Sequence, residues 1–116
     1  MEYRNEKGQL HRLDGPAVIW ADGTKEWWVN GLRHRLDGPA YIGPDGFQAW
    51  FQNNKKHRLD GPAIISPDGR EKWLINDKQI PREEVLLWIE QLSLSSWQKW
   101  TQHEKCLFRM SFLNGI

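Results

Sequence analysis

The seven letters His-Arg-Leu-Asp-Gly-Pro-Ala occur three times, beginning at His11, His34 and His57, so the chain repeats itself every 23 residues. The agreement extends past those letters. Asp22-Gly23, Asp45-Gly46 and Asp68-Gly69 coincide at the same step, as do Ile19, Ile42 and Ile65, Trp27, Trp50 and Trp73, and Asn30, Asn53 and Asn76. A period of this length marks a stacked array in which no unit buries its apolar face without a neighbour. It also means that letters repeated for packing can resemble site motifs.

Within a unit, Ala17–Trp20 reads as a strand, Asp22-Gly23 as a turn and Thr24–Val29 as the return strand. The later units spell the turn Pro44-Asp45-Gly46 and Pro67-Asp68-Gly69, the order of a type I turn closed by a glycine bulge. A three-residue loop pairs Ala40 with Trp50 and Ile42 with Gln48. It thereby gathers Ala17, Ile19, Trp27 and their equivalents on one face, the expected core; a two-residue loop would split them. The opposite face carries Trp20, Trp28, Tyr41, Phe47, Phe51, Ile64 and Leu74 among Thr24, Glu26, Arg70 and Lys72, and it varies from unit to unit. Solvent, a partner, or the C-terminal helices are the open readings for what lies against it. Residues 30–38 and 53–61 read as connections with tight turns at each end. Leu13, Leu36 and Leu59 are expected to tuck inward, and Pro16, Pro39 and Pro62 to open the following strands.

The array is expected over residues 1–79 and a helical cap over 80–116. Where a fourth His-Arg-Leu-Asp would stand, the chain reads Ile80-Pro81-Arg82-Glu83-Glu84, a helix start, followed by the stripe Val85, Trp88, Ile89 and Leu92. Ser95 and Gln98 suggest a capping box for a second helix through Phe108, with Trp97, Trp100, Glu104 and Leu107 on its stripe. Met110–Ile116 reads as a strand or a frayed end. The expected fold is mainly β with C-terminal α: a twisted antiparallel β-hairpin meander capped by two helices.

Composition narrows the function classes. The 116 residues carry a formal charge of +1, which gives no bulk attraction to nucleic acid or anionic membrane. The single Cys106 cannot form an internal disulfide, no apolar run reaches the roughly 20 residues of a membrane span, and the opening residues do not resemble a signal peptide. The expected location is therefore the cytoplasm. His11, His34 and His57 invite a metal reading, but copies two strands apart lie about 9–10 Å from one another, too far to share an ion. Hydrogen bonding of His and Asp to turn backbone, with Arg paired to Asp, is the favoured alternative. Arg12, Arg33, Arg35, Lys55, Lys56, Arg58 and Lys78 recur at one connection, where a basic ridge flanked by tryptophans could hold phosphates and stack bases. Asp14, Asp37 and Asp60 interrupt it. No nucleophile motif, phosphate-cradling loop or metal spacing is present, so neither an enzyme nor a cofactor is expected.

The unit Asp-Gly-x-x-x-Trp-x-x-Asn, followed by His-Arg-Leu-Asp-Gly-Pro-Ala, resembles the variant MORN-type repeats of short bacteriophage and bacterial proteins, over about residues 3–80. The exit Ile75-Asn76-Asp77-Lys78-Gln79-Ile80-Pro81 is similar to the way such arrays hand over to a terminal helix. The resemblance implies a hairpin scaffold without catalytic residues that binds proteins or, in some cases, lipids. It suggests a phage-encoded inhibitor that blocks a host defence protein in the host cytoplasm. Trp20, Trp28, Tyr41, Phe47 and Phe51, with Trp97 and Trp100, are the expected contact residues, since aromatic side chains are common interface anchors. Two other readings stand beside it: nucleotide or nucleic-acid binding through the basic ridge, and a structural module that self-associates through open sheet edges.

Overall fold

In the computed structural model, which describes residues 1–113, the chain is an elongated array, 49 Å in its longest extent, of short antiparallel hairpins followed by two helices. The main hairpins pair β1 (Val18–Ile19) with β2 (Lys25–Glu26), β5 (Tyr41–Ile42) with β6 (Gln48–Ala49), and β9 (Ile64–Ile65) with β10 (Glu71–Ile75). With β11 (Lys78–Ile80) they form one seven-stranded sheet in the order β1-β2-β5-β6-β9-β10-β11. The observed register, Tyr41 opposite Ala49 and Ile42 opposite Gln48, is that of the three-residue loop. Each loop is fixed locally. Gly23, Gly46 and Gly69 adopt positive φ, and Asp22, Asp45 and Asp68 accept the backbone N–H two residues on. At Asp22 and Asp68 that bond, first among the causes, holds the carboxyl below its usual range.

The expected connections contain a second hairpin. β3 (Trp28–Val29) pairs with β4 (Leu32–Arg33), and β7 (Phe51–Gln52) with β8 (Lys55–Lys56). Asn30-Gly31 and Asn53-Asn54 form the two-residue turns, with positive φ at both positions, the conformation that suits the twist of a tight hairpin. Asn76-Asp77 repeats this between β10 and β11. At the other end, Met1 and Tyr3 bond the backbone of Ile19 and Ala17, so the opening residues add a partial strand to the sheet.

Beside the ladders β2–β5 and β6–β9, an arginine links each unit to the one before it. The guanidinium of Arg35 lies 3.9 Å over the Trp27 ring of the preceding unit; Arg58 lies 3.9 Å over Trp50, and Arg12 lies 4.1 Å over Tyr3. Each Arg also donates through Nε to the Asp two residues on and through Nη1 to the following Pro carbonyl. A Cβ at Gly38 or Gly61 would sit 2.8 Å from that guanidinium carbon, so a side chain there would push the arginine from its seat. Ala17, Ala40 and Ala63 are fully buried beneath. The repeated Ala-Ile-Trp face is therefore only in part the expected apolar core: Trp27, Trp50 and the three Ile residues are half-buried, and the two Trp rings are roofed by arginine.

At the third unit the roof changes. Where Arg35 and Arg58 stand, the third unit has Pro81, and Trp100 and Phe108 pack on Trp73 with ring centroids 5.9 and 5.3 Å away. Ile75, Ile80 and Val85 complete this core, with Trp88, Ile89 and Phe112 against it. Trp73 and Ile75 share the repeated face, and Ile80 is paired with Trp73. The helices thus cover the end of the repeated face, and the reading in which they lie over the variable face is corrected. α1 spans Arg82–Gln91 and α2 spans Gln102–Phe112, separated by a 3-10 turn at Trp97–Lys99. The capping box is formed by Thr101 and Glu104, not by Ser95 and Gln98: the Thr101 hydroxyl accepts from the Glu104 N–H, and Glu104 accepts from the Thr101 N–H. Of the expected terminal segment, Met110–Phe112 belong to α2, and 114–116 lie outside the described residues.

Phe108 is wholly buried at the centre of the cap, whereas the neighbouring Cys106 is exposed. Phe108→Ala should cost about 3–5 kcal/mol in urea unfolding, and Cys106→Ser should stay within about 0.5 kcal/mol of the parent.

Candidate functional site

The repeated histidines have a structural use. Nδ1 of His11, His34 and His57 accepts the backbone N–H of Asn30, Asn53 and Asn76, at 2.9, 3.1 and 3.1 Å, each 19 residues downstream. These bonds hold the start of the three tight turns that begin at Asn30, Asn53 and Asn76. Among the described residues no group of three His, Cys, Asp or Glu side chains converges as a metal site would require. Asp14, Asp37 and Asp60 pair with arginine and not with turn backbone.

The basic residues do not make one ridge. Arg12, Arg35 and Arg58 lie on the repeated face and are committed to aspartate, carbonyl and ring. Arg33 and Lys56 sit on the variable face, opposite Trp28 and Phe51, and Lys55 is exposed opposite Gln52. The alternation of strand residues between faces divides what looked contiguous in sequence.

Five of the seven expected contact residues do gather. Trp20, Trp28, Tyr41, Phe47 and Phe51 share the variable face around a buried carboxylate, Glu26, which is 6% exposed. Glu26 accepts from the Trp20 indole at 2.6 Å and from Arg33 Nη2 at 3.1 Å. Arg33 in turn lies 4.6 Å over the Trp28 ring and 5.6 Å over Phe51. Tyr41 and Phe47 meet edge to face at 6.0 Å. Two adjoining cavities open here and share Arg33 and Tyr41. One, of about 650 Å³, runs past Phe47, Phe51, Lys56 and Ile64; the other, of about 500 Å³, lies beside Trp20, Thr24 and Glu26. Trp28 Nε1 and Arg33 Nε are buried here without an acceptor among the described residues.

The other two expected contacts lie elsewhere. Trp100 is 5% exposed inside the cap, bonded to the Ser95 carbonyl, and Trp97 is half-buried, donating to Glu71 at 2.8 Å. Their spacing reads equally as interface or core, and what decided it was the missing arginine over Trp73. The Glu26–Arg33 pair joins residues on β2 and β4, and Glu26 is the one acid among the aromatic, Thr, Arg and Lys residues expected on this face. Compared with known proteins, the chain matches no family model, no curated protein and no solved structure.

Burial pushes the His57 imidazole below its usual value near 6.5, because its charged form is desolvated. A depressed folded value means that the unfolded chain takes up the proton first. The contribution of His57 is therefore full above about pH 6.5 and is lost as pH falls through the lower folded value. Unfolding free energy should decline on acidification below pH 6.5, and His57→Gln, which keeps an acceptor without titrating, should flatten that slope in urea titrations at stepped pH.

Proposed function

We propose that this chain is a non-catalytic protein-binding module that engages its partner through the variable face of the sheet. The observation that carries the reading is the position of the cap. The helices close the repeated face at Trp73, while the opposite face keeps half-exposed aromatic side chains beside two adjoining cavities, with Trp20 51% exposed. A constant framework with one varied aromatic face suits recognition of another protein, where Trp, Tyr and Arg supply most of the binding energy. A nucleotide fits this face less well, because Glu26 and Asp45 would oppose a phosphate and Arg33 is already tied to Glu26. The resemblance to phage repeat proteins supports a finer version, in which the module is a phage-encoded inhibitor and the partner is a host defence protein.

The tagged chain, passed through bacterial lysate and examined by native mass spectrometry, should retain one protein in stoichiometric amount. Trp20→Ala and Phe51→Ala should each weaken that capture about tenfold or more while the thermal transition is kept. Capture undiminished by both variants, or a bound nucleotide in place of a protein, would contradict the proposal.

A further inference from the structure

The third repeat shows what its own surface accepts. Trp97 rests on the turn Arg58-Leu59-Asp60-Gly61. Its ring lies 4.8 Å from the Arg58 guanidinium carbon, and a Cβ at Gly61 would meet it at 2.9 Å. The indole N–H donates to Glu71 at 2.8 Å, Leu59 packs against the cap core, and Lys105 Nζ stands 3.8 Å from Asp60. Arg58 consequently has two rings against it, Trp50 and Trp97, and its side chain is 13% exposed.

The second repeat has the same cradle without the cover. Arg35 has the Trp27 ring at 3.9 Å and no second ring among the described residues, and its side chain is 23% exposed. Leu36 is 75% exposed, and the Asp37 side chain is 88% exposed against 46% for Asp60. Gly38 leaves the same space beside the guanidinium as Gly61. The position of Glu71 is held by Gln48, whose side-chain oxygen can also accept an indole N–H. In the first repeat that position is Lys25, which cannot accept, so the match there is incomplete. Leu36, Asp37 and Gly38 also border a cavity of about 490 Å³, which gives a second segment room beside the cap.

We propose that Arg35, Leu36, Asp37 and Gly38, with Gln48, form a second aromatic-binding cradle that takes a tryptophan from a helical segment of a partner protein, with a cation of that segment set against Asp37. The occupant's chemistry is that of the chain's own cover: an indole to stack on the guanidinium and donate to Gln48, and a lysine to meet the exposed carboxylate. This surface lies on the repeated face, away from the aromatic face described above, and does not depend on it. It also gives a use to the one letter of the repeated heptad, leucine, that has no partner in the second unit.

A synthetic peptide with the sequence of residues 95–112 and blocked ends is a direct probe, titrated into the full chain and followed by nuclear magnetic resonance. Binding should perturb the Leu36 methyl, Arg35 Nε–H and Trp27 signals. It should weaken about tenfold or more both in the Leu36→Glu chain and with a peptide carrying Trp97→Ala. Leu36 is exposed, so its substitution leaves the fold in place, and the altered peptide leaves the chain untouched. Absence of binding at about millimolar peptide, or binding that survives either substitution, would overturn the proposal; the latter is also the signature of a peptide that merely displaces the native cap.

Discussion

One arginine per repeat braces the ladders that join each unit to the next. The side chain spans two units, with its guanidinium on the aromatic ring of the unit before and its N–H groups on the Asp and Pro carbonyl of its own turn. The Asp is largely exposed, so the ion pair itself contributes little. Its role is to orient the planar group over the ring, where stacking and the covering of apolar surface give about 0.5–2 kcal/mol. Nearly every letter of the heptad follows. His fixes the next turn by accepting from Asn, Arg braces the units, Asp and Pro orient it, Gly makes room for it, and Ala fits beneath.

An array braced this way has a problem at its end, since Pro81 stands where the next arginine would. The chain solves it with hydrocarbon. Trp100 and Phe108 lie where a fourth guanidinium would, and Ile75 and Ile80 replace the Gln52 and His57 of the preceding unit. The only extensive apolar cluster among the described residues is therefore at the capped end, and the rest of the array is held by half-buried rings, turn backbone and short ladders.

Most of the main hairpin was legible, because Pro-Asp-Gly dictates its loop and because letters that recur must share an environment. The Asn30-Gly31 hairpin was less so. Its turn signal is plain, but each strand holds two residues, too few to show alternation. Leu13 and Leu36 break a usual expectation, being 81% and 75% exposed, and only Leu59 meets the core. Hydropathy placed all three inward; the cap reaches only one. The face covered by the helices was not legible at all, since Trp97 and Trp100 fit either side until the unroofed Trp73 is seen. Of the candidate contacts, the five on strands and turns came together because alternation along a strand is readable, and the two in the cap did not.

Both proposed surfaces depend on an array rigid enough to present its two faces independently, in which the stacked arginines brace the inter-unit ladders. Equilibrium urea unfolding of Arg35→Lys tests this most directly. Lysine keeps the charge but lacks the planar fork that can stack on Trp27 while bonding Asp37 and the Pro39 carbonyl. The predicted result is a loss of about 1–3 kcal/mol. An unchanged midpoint would show that the ladders alone hold the units together and would contradict the account.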